Sequence, residues 1–280
     1  MEVSTWKNSK LLTASFTNYD YSTNPSGKIY PVKTQQVNLS SPSATFTFAS
    51  TSANNISVTK DSRYEDESTI KFLGGNLSEV KPKSGVTQAY IWDYNNNLPI
   101  AKVLNASGLE FAFTSFEADG KGNWTFTGIP ATDLTAPTGT KSYTLGSNIT
   151  KSGLSTSTTY IVSYWKKSGS VAVNATAAVA GRTINGWTYY EHKVVNPSSG
   201  LITVSGTNGI IDELRLYPVS AQMTTYTYEP LVGLKSQCDA SNMIIYYEYD
   251  TFNRLKAIRD QDGNILKTFE YKYQESQTQQ

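Results

Sequence analysis

A repeat of about 21 residues near the end of the chain constrains the fold more than any other feature. Tyr226-Thr227-Tyr228 recurs as Tyr247-Glu248-Tyr249, and Asp239-Ala240-Ser241-Asn242 recurs as Asp260-Gln261-Asp262-Gly263. The segments that start with Asp are turn sequences, because Asn and Gly tolerate positive φ. A Tyr-x-Tyr pair places both rings on one face of a strand. Such units bury a face only by stacking on copies of themselves, so we predict a stack of β-hairpins over residues 223–273.

The composition favours a β fold for the whole chain. Its 280 residues include 32 Ser, 34 Thr and 19 Tyr, and only 17% are charged. Thr, Tyr and Val suit strands, and the 19 Gly and 10 Pro supply turns. Aromatic residues, at 12%, are frequent enough for a folded chain. We therefore predict an all-β protein and exclude helical bundles and coiled coils.

Charge and cysteine content exclude several classes of function. A net charge of +1 gives no overall field to attract nucleic acid or an anionic membrane, so neither is an expected partner. Cys238 and His192 are the only residues of their types, which excludes a disulfide framework, a thiolate zinc cluster and a multi-His metal site. No apolar run approaches the ~20 residues of a membrane span. The segment 1–6 carries no export signal, and we expect a fragment of a longer polypeptide.

The middle of the chain has a different pattern of short strands. Apolar and polar residues alternate in short runs with Gly, Ser or Asn between them, which is typical of a β-sandwich. We expect four parts: 1–104 as partial β-sheet repeats, 105–219 as the sandwich, 220–273 as hairpin repeats and 274–280 as a disordered tail. The predicted strands of the sandwich lie at 142–145, 159–166, 170–174, 187–195, 201–205 and 209–217.

The hairpin repeat resembles the tyrosine–aspartate (YD) repeat of the RHS family. Tyr247-Glu248-Tyr249-Asp250 leads to Asn253-Arg254-Leu255 and then to Asp260-Gln261-Asp262-Gly263-Asn264. Asn253 departs from the Gly that the family usually has, and Asn is the next-best residue for a left-handed turn. Residues 69–103 are a weaker match.

The style of the repeat resembles large cell-surface or secreted proteins of Bacteroidota. The resemblance implies a secreted or surface location, a spiral β-sheet wall or shell, and the remainder of an RHS-type polypeptide as partner. Some members of the family enclose a toxin and others act in adhesion.

The middle segment is similar to galactose-binding-like jelly rolls of carbohydrate-binding modules. Ser115-Phe116-Glu117, Ser163-Tyr164-Trp165-Lys166-Lys167, Gly186-Trp187-Thr188-Tyr189-Tyr190 and 211–217 carry the similarity. The predicted fold class is therefore an all-β jelly-roll β-sandwich flanked by RHS/YD-repeat β-hairpin sheet.

Aromatic residues in the middle segment form a candidate glycan site. A sugar ring stacks its C–H face on an aromatic plane, and its hydroxyls need polar side chains nearby. The candidate residues are Trp124, Trp165, Trp187, Tyr189, Asn123 and Arg182. The alternative is that the rings belong to the core, because period 2 puts Trp187 and Tyr189 on one face and at least one face is buried.

The resemblance to jelly rolls also implies a structural calcium ion. In similar domains, acidic residues of the first and last strands meet around the ion, which here selects Glu117 and Asp212. Calcium takes 6–8 oxygen ligands, which carboxylates and loop carbonyls supply. The alternative is a pair of strand-end carboxylates without a metal. No other cofactor is expected.

Catalysis is not expected from this sequence. Glycoside hydrolysis needs a pair of carboxylates, and Glu110, Glu117, Asp133 and Glu191 are too scattered to nominate one. We therefore expect non-catalytic glycan binding within a cell-surface or secreted scaffold. The alternative is a purely structural spacer that binds no ligand.

Overall fold

A computed structural model describes residues 1–20, 27–51 and 58–272 of the chain. The described chain is built of antiparallel strands and a single 3-10 turn at Ser198–Gly200, which confirms the predicted all-β class. The predicted tail at 274–280 lies outside the described residues. Contacts divide the chain into two compact units, Met1–Tyr90 and Ile91–Gln280.

The strands are β1 (Glu2–Lys7), β2 (Lys10–Asp20), β3 (Tyr30–Ser43), β4 (Ser50–Thr51), β5 (Val58–Thr59), β6 (Glu65–Leu73), β7 (Asn76–Pro82), β8 (Gln88–Asp93), β9 (Leu98–Leu104), β10 (Ala112–Thr114), β11 (Ala131–Thr132), β12 (Lys141–Thr144), β13 (Ile149–Lys151), β14 (Thr159–Ser168), β15 (Ala172–Val173), β16 (Ala178–Ile184), β17 (Trp187–Val195), β18 (Ile202–Ser205), β19 (Ile210–Pro218), β20 (Gln222–Glu229), β21 (Gly233–Cys238), β22 (Ile244–Tyr249), β23 (Leu255–Asp260) and β24 (Ile265–Thr268).

The first unit is an antiparallel sheet in the order β1-β2-β3-β6-β7. Asn8 and Ser9 join β1 to β2, and both have positive φ, as a tight two-residue hairpin turn requires. Leu11, Val37 and Tyr64 belong to its small buried cluster. Each strand in this order pairs with the next one along the chain except β3, which pairs with β6 across the separate β4–β5 pair.

The second unit contains a repeat sheet with a domain inserted in it. The sheet has the order β9-β20-β21-β22-β23-β24. Strands β9 and β20 pair directly, with Ala101 opposite Thr225 and Leu104 opposite Gln222. Strands β10–β19 all lie in the segment between those two neighbours. The segment between β9 and β20 is therefore an insertion into an otherwise continuous array of hairpins.

Three turns of the repeat sheet share one hydrogen-bonding pattern. Oδ1 of Asp239, Asp250 and Asp260 accepts the N–H groups two and four residues further on, at 2.8–3.0 Å. The fourth residue of each turn has positive φ: 60° at Asn242, 58° at Asn253 and 85° at Gly263. Asn and Gly tolerate this backbone region best, so the expectation that Asn253 replaces Gly without changing the turn is met.

Tyrosine hydroxyls link each hairpin to an earlier strand of the array. Tyr249 donates to the carbonyl of Leu234 and Tyr271 to that of Leu255, both at 2.9 Å. Tyr228 makes the same kind of bond to Pro99 at 2.8 Å, across the whole insertion. The repeat pattern therefore continues from β9 to β20 as though the inserted segment were absent.

The insertion is a β-sandwich. One sheet has the order β11-β12-β19-β14-β17-β16 with β10 also on β19, and the other has the order β13-β18-β15. A cluster of eighteen buried hydrophobic residues draws on both sheets, including Val162 and Leu214 from the first and Ile149 and Val204 from the second. Inward-facing residues of two packed sheets make such a core, so the segment has its own hydrophobic centre.

Candidate functional site

Trp124 lies inside the core of the sandwich. Its side chain is 3% exposed and belongs to the cluster that contains Phe116 and Phe126. Its ring N–H donates to the carbonyl of Leu214 at 3.3 Å, which satisfies the one polar atom of the indole. The expectation that this ring faces solvent is therefore wrong, because the loop before it folds the indole inward.

Trp165 and Trp187 are fully buried and pack against the repeat sheet. They form one cluster with Cys238 and Ile244, which belong to β21 and β22. Tyr189 is half-buried beside them, with its ring 5.8 Å from that of Trp165 in an edge-on arrangement. The two indoles therefore present no face to water, which corrects the expectation of exposed stacking planes. Their rings instead join the sandwich to the repeat sheet.

The two polar residues of the predicted glycan set lie in different places. Asn123 is exposed and donates to the carbonyl of Phe111, beside a polar cleft of about 450 Å³. Arg182 forms an ion pair with Asp262 of a repeat turn, with 2.5 Å between Nη2 and Oδ1. The structure therefore does not bring the six predicted residues together on one surface.

A buried carboxyl group lines the polar cleft beside Asn123. Asp93 is 5% exposed, and its Oδ1 accepts the N–H groups of Tyr94 and Gly120, both at 2.8 Å. Burial raises the pKa of this carboxyl group, and the charge of Asp119 raises it further. These hydrogen bonds join the turn after β8 to the loop of the sandwich that contains Gly120.

Glu117 and Asp212 both accept hydrogen bonds from the segment 138–141, and each accepts them from different residues of it. Glu117 Oε1 accepts the N–H groups of Thr140 and Lys141, and Lys141 Nζ donates to the Glu117 carbonyl at 2.9 Å. Asp212 Oδ2 accepts the N–H and hydroxyl of Thr138 at 2.9 and 3.0 Å. These oxygens face N–H, O–H and ammonium donors, which does not fit the shell of oxygen ligands that calcium needs. The two carboxylates serve here as anchors for the segment.

A bulge in β19 turns two consecutive acidic side chains toward one partner. Consecutive residues of a regular strand point to opposite faces, yet Asp212 and Glu213 both accept hydrogen bonds from the Thr138 hydroxyl. Glu213 has a φ of 54°, and the register with β14 shifts between Ser163 and Trp165. Burial raises the pKa of Asp212 well above its usual value, and the charge of Glu213 adds to this.

Arg215 is the charged centre of the contact between sandwich and repeat sheet. Its side chain is 2% exposed and pairs with Glu213, with 2.8 Å between Nη2 and Oε1. Nη1 donates to the carbonyl of Asp239 at 2.9 Å, while Nη2 donates to Thr225 and to the carbonyl of Cys238 at 2.7 and 3.2 Å. A guanidinium offers five donors in a fixed fork, so one side chain of the insertion binds two strands of the repeat sheet.

Nothing in the sequence pattern singled out Arg215. Its neighbours Leu214 and Leu216 mark a closing strand, and the arginine occupies the alternate position that is usually exposed. The detectable signal is the run Asp212-Glu213-Leu214-Arg215, in which opposite charges sit two residues apart on one strand. Assigning that run to a buried contact requires the partner strands, which are distant in sequence.

A cleft lies where the sandwich meets the third repeat turn, and we call it the junction cleft. Its volume is about 580 Å³. Tyr246 donates to the carbonyl of Pro137 at 2.8 Å on one side of it, and the Trp187 ring N–H donates to Thr135 at 3.2 Å. The lining residues are Leu134, Thr135, Ala136, Gly139, Thr183, Ile184, Asn185, Tyr246, Asp260, Gln261, Asp262 and Gly263.

His192 and Cys238 are buried and have structural partners. His192 is 1% exposed, and its ring nitrogens contact the hydroxyls of Tyr164 and Thr176 at 2.9 and 3.0 Å. Burial lowers the pKa of His192 and raises that of the Cys238 thiol. Both groups are therefore held in their neutral forms, as parts of the packing.

No family model matches the chain, and no curated protein matches it. Within residues 1–20, 27–51 and 58–272, no three His, Cys, Asp or Glu side chains gather in a way that would hold a metal ion. The same residues contain no helix with the length and apolar character of a membrane span. The geometry of the site alone therefore supports the assignment of a function.

Proposed function

We propose that this chain is a non-catalytic scaffold in which a repeat sheet carries an inserted β-sandwich in a fixed orientation. We place it within a larger cell-surface or secreted polypeptide of the RHS type that its repeat resembles. The observation that carries the proposal is the burial of Trp165, Trp187 and Arg215 against β21 and β22. A mobile, separately acting module would not bury two of its three tryptophans against its carrier.

The size of the buried groups supports a fixed attachment. Completely burying two indoles removes on the order of 300–500 Å² of mostly apolar surface from water, and apolar burial contributes about 25 cal/mol per Å². The Arg215–Glu213 pair adds direction, because its hydrogen bonds are satisfied only in one arrangement of the sheets. Apolar area thus supplies the stability, and the ion pair sets the orientation.

The carboxylates that were too scattered to nominate a catalytic pair have structural partners, which supports a structural role. Glu110 accepts hydrogen bonds from Ser107, Asp133 pairs with Lys167 at 2.8 Å, and Glu191 accepts from Tyr189. Each is bonded to a neighbour in its own part of the sandwich. Glycoside hydrolysis would instead need a pair of carboxyl groups that flank the scissile bond in one cleft.

Fluorescence quenching tests the fixed attachment. In a Trp6→Phe, Trp92→Phe background, the three remaining indoles are the buried ones, so acrylamide quenching should be weak. Adding Ile244→Asp, which places a charge in the buried contact, should expose Trp165 and Trp187 and increase quenching severalfold.

Ile265→Asp is the matched control, because Ile265 lies in the same sheet and is 55% exposed. It should leave quenching at the background level. Strong quenching in the parent background, or an Ile244→Asp variant that quenches like the parent, would show that the sandwich is not packed on the repeat sheet and would refute the proposal.

A further inference from the structure

The junction cleft has the chemistry of a small-molecule site that the scaffold role does not use. Its volume of about 580 Å³ falls within the range of ligand pockets, roughly 300–1,000 Å³. Its walls come from three separate loops, which the bonds of Tyr246, Trp187 and Arg182 hold in place. The cleft is therefore shaped before any ligand arrives, which reduces the entropy cost of binding.

The cleft offers both kinds of hydrogen-bonding group that a sugar hydroxyl needs. Asn185 is exposed and its side-chain amide makes no hydrogen bond within the described structure, so it presents one acceptor and two donors. Asp262 uses Oδ1 for Arg182, and its second oxygen is an acceptor beside the ion pair. A hydroxyl both donates and accepts, so it is well matched to this mixed lining.

Apolar groups lie next to these polar ones. Leu134 is 81% exposed, and Ala136 and Ile184 are partly buried beside it. Covering an exposed leucine removes apolar surface from water, and the C–H face of a pyranose is a suitable cover. A lining that combines an apolar wall with an amide and a carboxylate fits a sugar better than a purely polar ion.

The charge of the cleft selects among sugars. Asp260 and Asp262 are the charged residues of its lining, and Arg182 is already paired with Asp262. Hydrogen bonds from the Asn264 side chain and from backbone N–H groups lower the pKa of Asp260, which keeps that carboxylate ionised. A uronic acid would meet like charge here, whereas a neutral sugar would not.

We infer that the junction cleft binds a neutral oligosaccharide, with Asn185 and Asp262 on its hydroxyls and Leu134 against its C–H face. Glycan binding then belongs to the boundary between the sandwich and the repeat sheet. It does not belong to the tryptophans that the sequence suggested. This inference rests on the scaffold proposal, because the cleft forms only where the sandwich packs on the repeat sheet. The two can fail separately, because quenching tests the packing and the experiment below tests binding in the cleft.

Native affinity electrophoresis of the full chain tests the inference. The gels contain galactan, xylan, mannan or β-glucan as neutral probes, and polygalacturonate as the acidic probe. Retardation is expected in at least one neutral gel and not in polygalacturonate. Asn185→Gly removes the amide and keeps a residue that suits the φ of 48°, and Leu134→Ala removes the apolar wall. Each should weaken binding roughly twofold to tenfold, the value of one lost hydrogen bond or contact.

Two matched variants serve as controls. Asn208 is an exposed Asn with a φ of 52°, and Ile129 is a 91% exposed aliphatic residue; both lie outside the cleft. Asn208→Gly and Ile129→Ala should leave retardation unchanged. The inference is overturned if no neutral gel retards the chain, if polygalacturonate alone does, or if Asn185→Gly and Leu134→Ala both bind like the unmodified chain.

Discussion

The sandwich and the repeat sheet of the second unit reach stability by different routes. The sandwich encloses a cluster of eighteen buried hydrophobic residues between two sheets. The last three strands of the repeat sheet have few buried side chains: β22 has one buried position, Ile244, β23 has one, Ala257, and all four residues of β24 are exposed. The repeat sheet instead has aspartate-bonded turns and tyrosine hydroxyls on backbone carbonyls. A single sheet that is held by local bonds thus needs a second layer to bury the apolar side chains of part of its face.

The insertion supplies that layer at one place. Cys238 and Ile244 are buried in the repeat sheet because Trp165 and Trp187 of the sandwich cover them. Aromatic residues of an inserted domain can therefore serve to attach that domain to its carrier sheet. A large number of them does not by itself indicate a ligand site. The comparison also predicts where substitutions destabilise the unit most, namely at the contact between the sandwich and the repeat sheet.

Arg215→Met breaks this contact and should have the largest effect. The substitution keeps a long apolar side chain but leaves Glu213 buried without its counter-ion, and it removes the guanidinium donors to the carbonyls of Cys238 and Asp239. Breaking a buried pair from one side costs about 3–5 kcal/mol. Urea unfolding followed by tryptophan fluorescence measures the change.

Arg259→Met is the control for this prediction. Arg259 pairs with Glu248 in the same repeat sheet, but the two side chains are 33% and 42% exposed. An exposed pair contributes roughly 0–1 kcal/mol. Equal losses from the two arginine substitutions would mean that the contact between sandwich and repeat sheet has no special weight in the stability of the unit.

Asn253→Ala tests the local route by which the repeat sheet is held. Asn253 has a φ of 58° at the fourth position of its turn, a region that costs an ordinary L-residue roughly 1–2 kcal/mol. We expect a loss of about 1 kcal/mol in the unfolding free energy, measured by urea unfolding. Asn253→Gly should change it by less than about 0.5 kcal/mol, since Gly adopts this region freely. A larger loss with Gly than with Ala would rule out backbone conformation as the reason for Asn at this position.

The repeat turns were predictable from sequence because their signal is local. An Asp followed three residues later by Asn or Gly specifies the turn through bonds within five residues. The same locality explains β14 and β17, predicted at 159–166 and 187–195 and found at Thr159–Ser168 and Trp187–Val195. Strong β-formers in alternation define such strands without help from distant partners.

Other elements lacked such a signal. Strand β16 was missed because Ala178–Ile184 is rich in small residues, is largely exposed and shows no apolar alternation. The burial of Trp165 and Trp187 depends on Cys238 and Ile244, which are distant in sequence. A period of two identifies which residues share a face, and it does not identify which face another sheet will cover. The predicted site was wrong about exposure for this reason.

The sandwich and the repeat sheet should lose stability in different pH ranges on acidification, and this is the smallest effect we expect. Burial lowers the pKa of His192 in the sandwich, where Tyr164 and Thr176 face its ring. At this group the unfolded state binds a proton more readily than the folded state, so the contribution of His192 to stability falls as the pH drops below about 6.5. The raised pKa of Asp212 acts in the opposite direction, so the comparison with a His192 variant isolates the imidazole. The hydrogen bonds of Arg254 and Asn264 lower the pKa of Asp250 and Asp260, so their contribution persists until the pH falls below about 4. Urea midpoints at about pH 7, 5 and 3 measure both steps.

His192→Gln should flatten the step between pH 7 and 5 only, and Asp260→Asn the step below pH 4 only. If His192→Gln keeps the full loss between pH 7 and 5, the sandwich does not owe its acid sensitivity to this buried imidazole.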